Sequence, residues 1–277
     1  MINKFAVIGN PIDFSKSPFI HTSFAKSTNQ EIEYLKILGP LGKFKETVDE
    51  FRKQGGQGIN ITAPFKLDAF QYATKRSQAA ELAGAANALR FEKDQVIAEN
   101  FDGKGLVCDV INNLGYELKN KRILLLGSGG AARGALLPLL AEIPEQLVIS
   151  NRTASKAINL AKIAQKHKSE MSEVSAIDMN QLGGIHFDVI FNATSASLRD
   201  ELLPIPLDVF GSNSLAYELA YGKGLTPFLR LAQKARSCQI ADGVGMLAEQ
   251  AAEAFAWWMG VRPNTQDVIS KLKIPLE

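Results

Sequence analysis

One short stretch, RILLLGSGGAARG at residues 122–134, limits what this chain can fold into more than any other. The apolar run 123–126 is bounded by glycine, as a strand buried on both faces of a parallel sheet would be. It runs directly into Gly127-Ser128-Gly129-Gly130-Ala131-Ala132, which fits G-x-G-x-x-G/A at Gly127, Gly129 and Ala132. A helix-compatible run, 131–141, follows. In that order, Gly127 permits the tight turn, Gly129 lets backbone approach a pyrophosphate, and Ala132 lets the helix pack close to the strand. The N–H groups at the helix start then face the phosphates. A dinucleotide site explains three small residues at these positions better than a plain strand–turn–helix does.

The rest of the chain is compatible with an α/β enzyme. Its 277 residues suit one large or two modest domains, and 46% apolar residues suffice for a sizeable core. A formal charge of +2 argues against a nucleic-acid or membrane surface driven by bulk charge. Cys108 and Cys238 are far apart and form no disulfide pattern, so a reducing, cytoplasmic setting is expected. The N-terminus reaches Lys4 without a long apolar segment, so no signal peptide is expected, and no run approaches the roughly 18 apolar residues of a membrane span. His21, His167 and His186 have no metal-ligand spacing, and no metal is expected. The expected oligomeric state is monomer or homodimer.

Residues 5–9 (FAVIG), 33–38 and 58–61 read as strands, 44–53 as a helix ended by Gly55-Gly56, 78–83 as a helix, and 87–91 with 96–99 as a hairpin. This half is a βα domain without a phosphate loop. Residues 101–115 read as a connecting helix. Beyond the glycine turn, strands are predicted at 147–150, 186–193, 214–219 and 239–241. Helices are predicted at 226–235, at 243–258 and from Pro263. Pro138 lies inside the helix after the glycine turn and predicts a kink or boundary.

The choice of dinucleotide can be read from the second strand of the phosphate-binding half. A site for NAD places an acid at that strand end to bind the ribose 2′-hydroxyl. Here the run is Asn151-Arg152-Thr153-Ala154-Ser155-Lys156, with two cations and no acid. Arg152 can meet a 2′-phosphate with a bidentate fork and Lys156 as a point charge, which favours NADP. The alternative is that both are exposed charges at a helix start, with Thr153 as its cap. Two polar clusters in the first half offer proton chemistry. Residues 58–66 (GINITAPFK) place Thr62 and Lys66 just beyond a strand, and 99–105 (ENFDGKG) place Asp102 at a helix start. A lysine beside an aspartate can hold or relay a proton at a substrate hydroxyl. Spacing alone does not pair them.

Taken together, these segments resemble the shikimate dehydrogenase family over nearly the whole chain. The family's S-x-S appears as Ser15-Lys16-Ser17, and its N-V-T-x-P-x-K as residues 60–66 (NITAPFK). Its G-A-x-N appears as Gly84-Ala85-Ala86-Asn87, and its N-T-D-G as Asn100-Phe101-Asp102-Gly103. Asn192-Ala193-Thr194-Ser195, Tyr221 with Lys223-Gly224 and Thr226-Pro227, and residues 242–251 (DGVGMLAEQA) match later blocks. The resemblance implies that Ser15 and Ser17 hold the carboxylate of shikimate. It implies that Thr62, Asn87, Asp102, Tyr221 and Gln250 surround the hydroxyls and ring, and that Lys66 and Asp102 are the catalytic pair. It further implies that Gly127, Ser128, Gly129, Gly130 and Ala131, with Asn151, Arg152, Thr153, Ala154, Ser155 and Lys156, bind NADP. Leu219 and Gly243 would line the nicotinamide side. The implied architecture is a substrate domain at 1–103, with 238–277 packing back on it, and a Rossmann-like NADP domain at 104–237, with a cleft between them. The implied reaction interconverts 3-dehydroshikimate and shikimate. A quinate/shikimate dehydrogenase of broader cofactor use and a silent NADP-binding protein are the rival readings.

Four positions depart from the family pattern. Phe101 replaces a threonine and adds bulk beside the expected catalytic pair. Ser197 stands where glycine is common, Glu218 where aspartate is common, and Gln78 where an acid often sits near the cofactor.

Overall fold

The computed structural model describes residues 2–235 and 239–276, so Cys238 lies outside the described residues. The chain divides into two compact units, Met1–Gly105 with Ala248–Lys271, and Leu106–Leu247 with Leu272–Glu277. Among the described residues no helix is long and apolar enough to cross a membrane, and no group of His, Cys, Asp and Glu is placed to hold a metal ion.

The first unit holds β1 (Asn3–Gly9), α1 (Ser17–Ser27), β2 (Ile32–Leu38), α2 (Phe44–Lys53), β3 (Gly56–Ile61), α3 (Lys66–Tyr72), β4 (Lys75–Arg76), α4 (Gln78–Ala83), β5 (Ala88–Phe91), β6 (Val96–Glu99) and the start of α5 (Asp102–Cys108). Its sheet order is β2-β1-β3-β5-β6-β4. β1 pairs in parallel with β2 and β3, whereas β5 is antiparallel to both β3 and β6. This register puts Asn60, Ala88 and Glu99 in one row across three strands. Helix α2 buries Phe44, Val48 and Phe51, one helical stripe, against Ile8, Ile59 and Leu89 of the sheet. Each such side chain contributes about 1.5–3 kcal/mol by leaving water.

The second unit holds β7 (Arg122–Leu126), α6 (Gly130–Ala141), β8 (Gln146–Ser150), α7 (Ala154–Gln165), β9 (Glu173–Ala176), β10 (Phe187–Asn192), β11 (Phe210–Glu218), α8 (Pro227–Lys234) and β12 (Gln239–Asp242). All its pairings are parallel, in the order β12-β11-β10-β7-β8-β9. Read from β9, this is the 3-2-1-4-5-6 order of a doubly wound nucleotide-binding sheet, with the reversal of strand order at β7. Leu124, Leu126, Val148, Ile190 and Ala216 pack the sheet face against Phe228 and Leu229 of α8. α9 (Val244–Met259) and α10 (Gln266–Leu272) complete the chain.

Several local expectations change. The return to the first unit comes at Ala248, later than 238, because β12 adds to the second sheet beside β11. The connecting helix is not one regular element: α5 passes into a π-helical turn, Asp109–Asn113. The buried Asp109 carboxylate there accepts from Tyr217 Oη at 2.6 Å and from Asn113 Nδ2 at 2.9 Å. A Cβ on Gly245 would stand 1.9 Å from Asp109 Oδ1, so that close approach requires glycine. Helix α6 runs unbroken through Pro138.

Candidate functional site

In the first unit the row Asn60, Ala88, Glu99 explains how residues distant in sequence share one edge of the sheet. β3 leaves that edge through Thr62-Ala63-Pro64 into α3, whose first residue is Lys66. β6 leaves it through Asn100-Phe101 into α5, whose first residue is Asp102. β5 enters there immediately after Asn87. Lys66 Nζ lies 2.6 Å from Asp102 Oδ2. The Asn87 amide is used at both ends: Oδ1 accepts from Phe101 N at 2.9 Å, while Nδ2 donates to Asp102 Oδ1 at 2.8 Å and to Gln250 Oε1 at 3.2 Å. Asn100 Oδ1 accepts from Asp102 N at 3.1 Å, so Asn100 holds the backbone at the helix start. The Lys66 side chain is 39% exposed and that of Asp102 16%. A cation that solvent can reach, held by a mostly covered carboxylate, can deliver a proton to a ligand atom and recover it from water.

The other expected substrate residues are placed by separate bonds. Ser15 Oγ accepts from Ser17 N at 3.3 Å at the start of α1. Tyr34 Oη, on strand β2, donates to Asn60 Oδ1 at 2.6 Å. Thr62 N donates to Ile8 O at 3.0 Å, and the Thr62 methyl leaves no room for a Cβ on Gly9. Tyr221 belongs to the second unit, in the loop after β11, and is 45% exposed. Phe101 does not crowd the lysine–aspartate pair. Its ring is buried with Ala88 and Ala254 and meets Trp257 edge-on, with centroids 5.6 Å apart.

In the second unit a cavity of about 400 Å³ lies at the carboxyl ends of β7, β8 and β10. Gly127–Ala131, Asn151 and Arg152 line it, as do 193–196, Arg199 and 201–204. Gly127 has φ +114°, and a Cβ there would come 2.9 Å from Ala193 O, so both conformation and space require glycine. Cβ atoms on Gly129 and Gly130 would project into empty space. That empty cradle faces the first turn of α6, which carries no acid, and it fits a pyrophosphate held by helix N–H groups. Thr153 is the residue before α7 but makes no side-chain capping bond, so the alternative in which it serves as the helix cap is not met. Ala154, Ser155 and Lys156 form the first turn of α7 and are not among the residues that line the cavity. Gly243 meets the backbone of Leu219, where a Cβ would lie 2.2 Å from Leu219 O.

Glu218, fully buried at the end of β11, shapes the loop along the cavity. It accepts from Asn192 Nδ2 at 2.8 Å, Thr226 Oγ1 at 3.2 Å, Ala220 N at 3.3 Å and the hydroxyl of Ser197. Burial pushes its carboxyl upward, and these donors oppose the rise. Asn192 Oδ1 in turn accepts from Thr194 N at 3.1 Å and Thr194 Oγ1 at 2.8 Å. Arg199 and Glu201 were not expected from the sequence. They follow the strand end by a short turn, and the arginine placed shortly after Asn192-Ala193-Thr194-Ser195 is the one signal that pointed there.

Three family models match the chain: "Shikimate dehydrogenase substrate binding domain" over 7–89, "Shikimate / quinate 5-dehydrogenase" over 109–199 and "Shikimate 5'-dehydrogenase C-terminal domain" over 243–273. The shikimate dehydrogenase (NADP(+)) of Nitrosospira multiformis is 48% identical over 100% of this chain and 99% of its own. Among solved structures, an Ael1 enzyme from Pseudomonas putida is 55% identical, with a TM-score of 0.94 over 99% of this chain and 100% of that one. The shikimate 5-dehydrogenase of Thermus thermophilus, solved with NADP(H) and shikimate, is 28% identical, with a TM-score of 0.83 over 97% of this chain and 98% of that one. This chain belongs to the shikimate dehydrogenase family.

Proposed function

We propose that this chain is an NADP-dependent oxidoreductase that interconverts 3-dehydroshikimate and shikimate. The observation that carries the reading is the 2.6 Å contact of Lys66 Nζ with Asp102 Oδ2, tied through Asn87 to Gln250. NADPH, when bound, supplies the hydride. In the reducing direction the Lys66 ammonium donates its proton to the carbonyl oxygen as the carbonyl carbon gains that hydride, and Lys66 is reprotonated from water. Asp102 holds the ammonium in place. Asn87 stands beside the ring hydroxyls and holds Asp102 and Gln250 in place there, and the Ser15 and Ser17 hydroxyls receive the carboxylate. In the second unit Gly127–Ala131 would cradle the pyrophosphate, with Leu219 and Gly243 beside the nicotinamide. Asn151 and Arg152 would take the adenosine end, with Thr153, Ala154, Ser155 and Lys156 behind them.

The test is to follow NADPH absorbance with shikimate as substrate, beside quinate and beside NAD. Turnover with shikimate and NADP alone supports the proposal. Equal rates with quinate or NAD would move the protein to the broad-specificity reading, and NADP binding without turnover would make it a silent binder.

A further inference from the structure

The cofactor cavity carries a second arginine. Arg199 ends the short 3₁₀ turn Ser197–Arg199 and lines the same cavity as Gly127 and Arg152. Its Nε and Nη2 atoms lie 2.7 Å and 2.9 Å from the two carboxylate oxygens of Glu201, and Nη1 lies 2.8 Å from Ser195 Oγ. Glu201 also lines the cavity, and its carboxyl is held below the usual range by Arg199 first, with a further contribution from the positive charge of Arg152. One carboxylate is thus gripped by one guanidinium within the electrostatic reach of another, in a cavity shaped for an anionic ligand. An exposed ion pair of this kind is worth little to the fold, so a stability role does not account for it. A phosphate offers the same two-oxygen edge to the same fork, with more charge.

We propose that Arg199 is a second phosphate-recognition residue for the 2′-phosphate of NADP, and that Glu201 is an internal anion that holds the Arg199 fork until the ligand's phosphate takes it. The 2′-phosphate is favoured over the pyrophosphate by position. Arg152 follows β8, the strand end where the adenosine ribose of a dinucleotide falls, and Met179, which follows the outer strand β9, lines the same cavity. The loop after β10 therefore reaches across to the side on which a 2′-phosphate would stand. NADP exchanges one anion for a stronger one at this fork, whereas NAD gains nothing by displacing Glu201. This inference rests on NADP being the cofactor.

The test is calorimetric titration of the full chain with NADP+ and with NAD+. Arg199→Met should raise Kd for NADP+ by roughly tenfold, the scale of one charge-assisted bidentate pair, and leave Kd for NAD+ within about twofold. Glu201→Gln should lower Kd for NADP+. An unchanged NADP+ affinity in Arg199→Met, an equal loss for both dinucleotides, or weaker NADP+ binding in Glu201→Gln would overturn the proposal. Wild-type protein that binds NAD+ as tightly as NADP+ would instead overturn the cofactor reading beneath it. Both side chains are about half exposed, so neither substitution endangers the fold, and an unchanged Tm confirms this.

Discussion

The hydroxyl of Ser197 donates to Oε2 of Glu218, and both residues stand where the family pattern has something else, glycine and aspartate respectively. The longer acid reaches further and the serine supplies a donor for it. The two departures therefore act as a pair, buried beneath the loop that borders the cavity at the ends of β7, β8 and β10.

Glu218→Asp alone withdraws the carboxylate from Ser197 and Thr226 and should cost about 1–3 kcal/mol, the range for buried groups left without partners. Ser197→Gly with Glu218→Asp should cost less than the sum of the two single changes, with a coupling of about 0.5–3 kcal/mol. Denaturant unfolding of the four proteins measures this, and strict additivity would separate the two residues.

Lys66→Ala should lower kcat by about 10²–10⁴-fold, the scale of a lost general acid, and leave the Kd for NADP+ unchanged. Lys66→Arg should not restore turnover, because a guanidinium does not give up its proton near neutral pH. Near-normal kcat in Lys66→Ala would remove Lys66 from the chemistry.

The glycines of the phosphate loop should separate binding from folding. At Gly127 an added Cβ is strained by φ +114° and meets Ala193, so Gly127→Ala should lower Tm as well as weaken NADP+ binding. At Gly129, with φ −78° and ψ −169°, alanine fits the backbone and its Cβ enters only the empty cradle. Gly129→Ala should keep the wild-type Tm and lose NADP+ affinity. A fall in Tm for Gly129→Ala, or unchanged NADP+ affinity, would contradict this assignment.

His21 gives the fold a dependence on pH. Its ring is buried and stacks on Tyr34 at 4.4 Å, and burial pushes its pKa down from 6.5 to about 3, partly opposed by Asn60. The unfolded chain therefore binds a proton between these values that the folded chain does not, so stability is full above the unfolded pKa and declines as pH falls below it. Between pH 7 and pH 5 this amounts to about 2 kcal/mol. His21→Phe should flatten that part of the stability profile, and an unaltered slope in urea unfolding at the two pH values would exclude His21 as its source.

Features carried by local pattern were legible in the sequence. The run from β7 through the glycine turn into α6 was one, and the apolar α9 another, because glycine conformation and helical spacing leave their mark within a few residues. Two of the edge strands were not. β9 (EVSA) has one buried residue and β4 (KR) has none, so both exist only through pairing with β8 and β6. The Lys66–Asp102 pairing was equally hidden, since it depends on the antiparallel register of β3, β5 and β6 rather than on spacing. Replacing a threonine before Asp102, Phe101 is expected to add bulk beside the pair, but consecutive side chains leave the backbone in different directions, and its ring faces Trp257.

Asn87 donates to Asp102 Oδ1 at 2.8 Å and accepts from Phe101 N at 2.9 Å, so its amide has one usable orientation. Hydrolysis of that amide, or Asn87→Asp, would set a second carboxylate against the first at hydrogen-bonding distance. The two carboxylates would repel each other, and the new one would compete with Asp102 for the Lys66 ammonium. The charge balance of the site thus depends on the integrity of a neutral side chain, and loss of that one amide through chemical ageing would alter it as a charge mutation does.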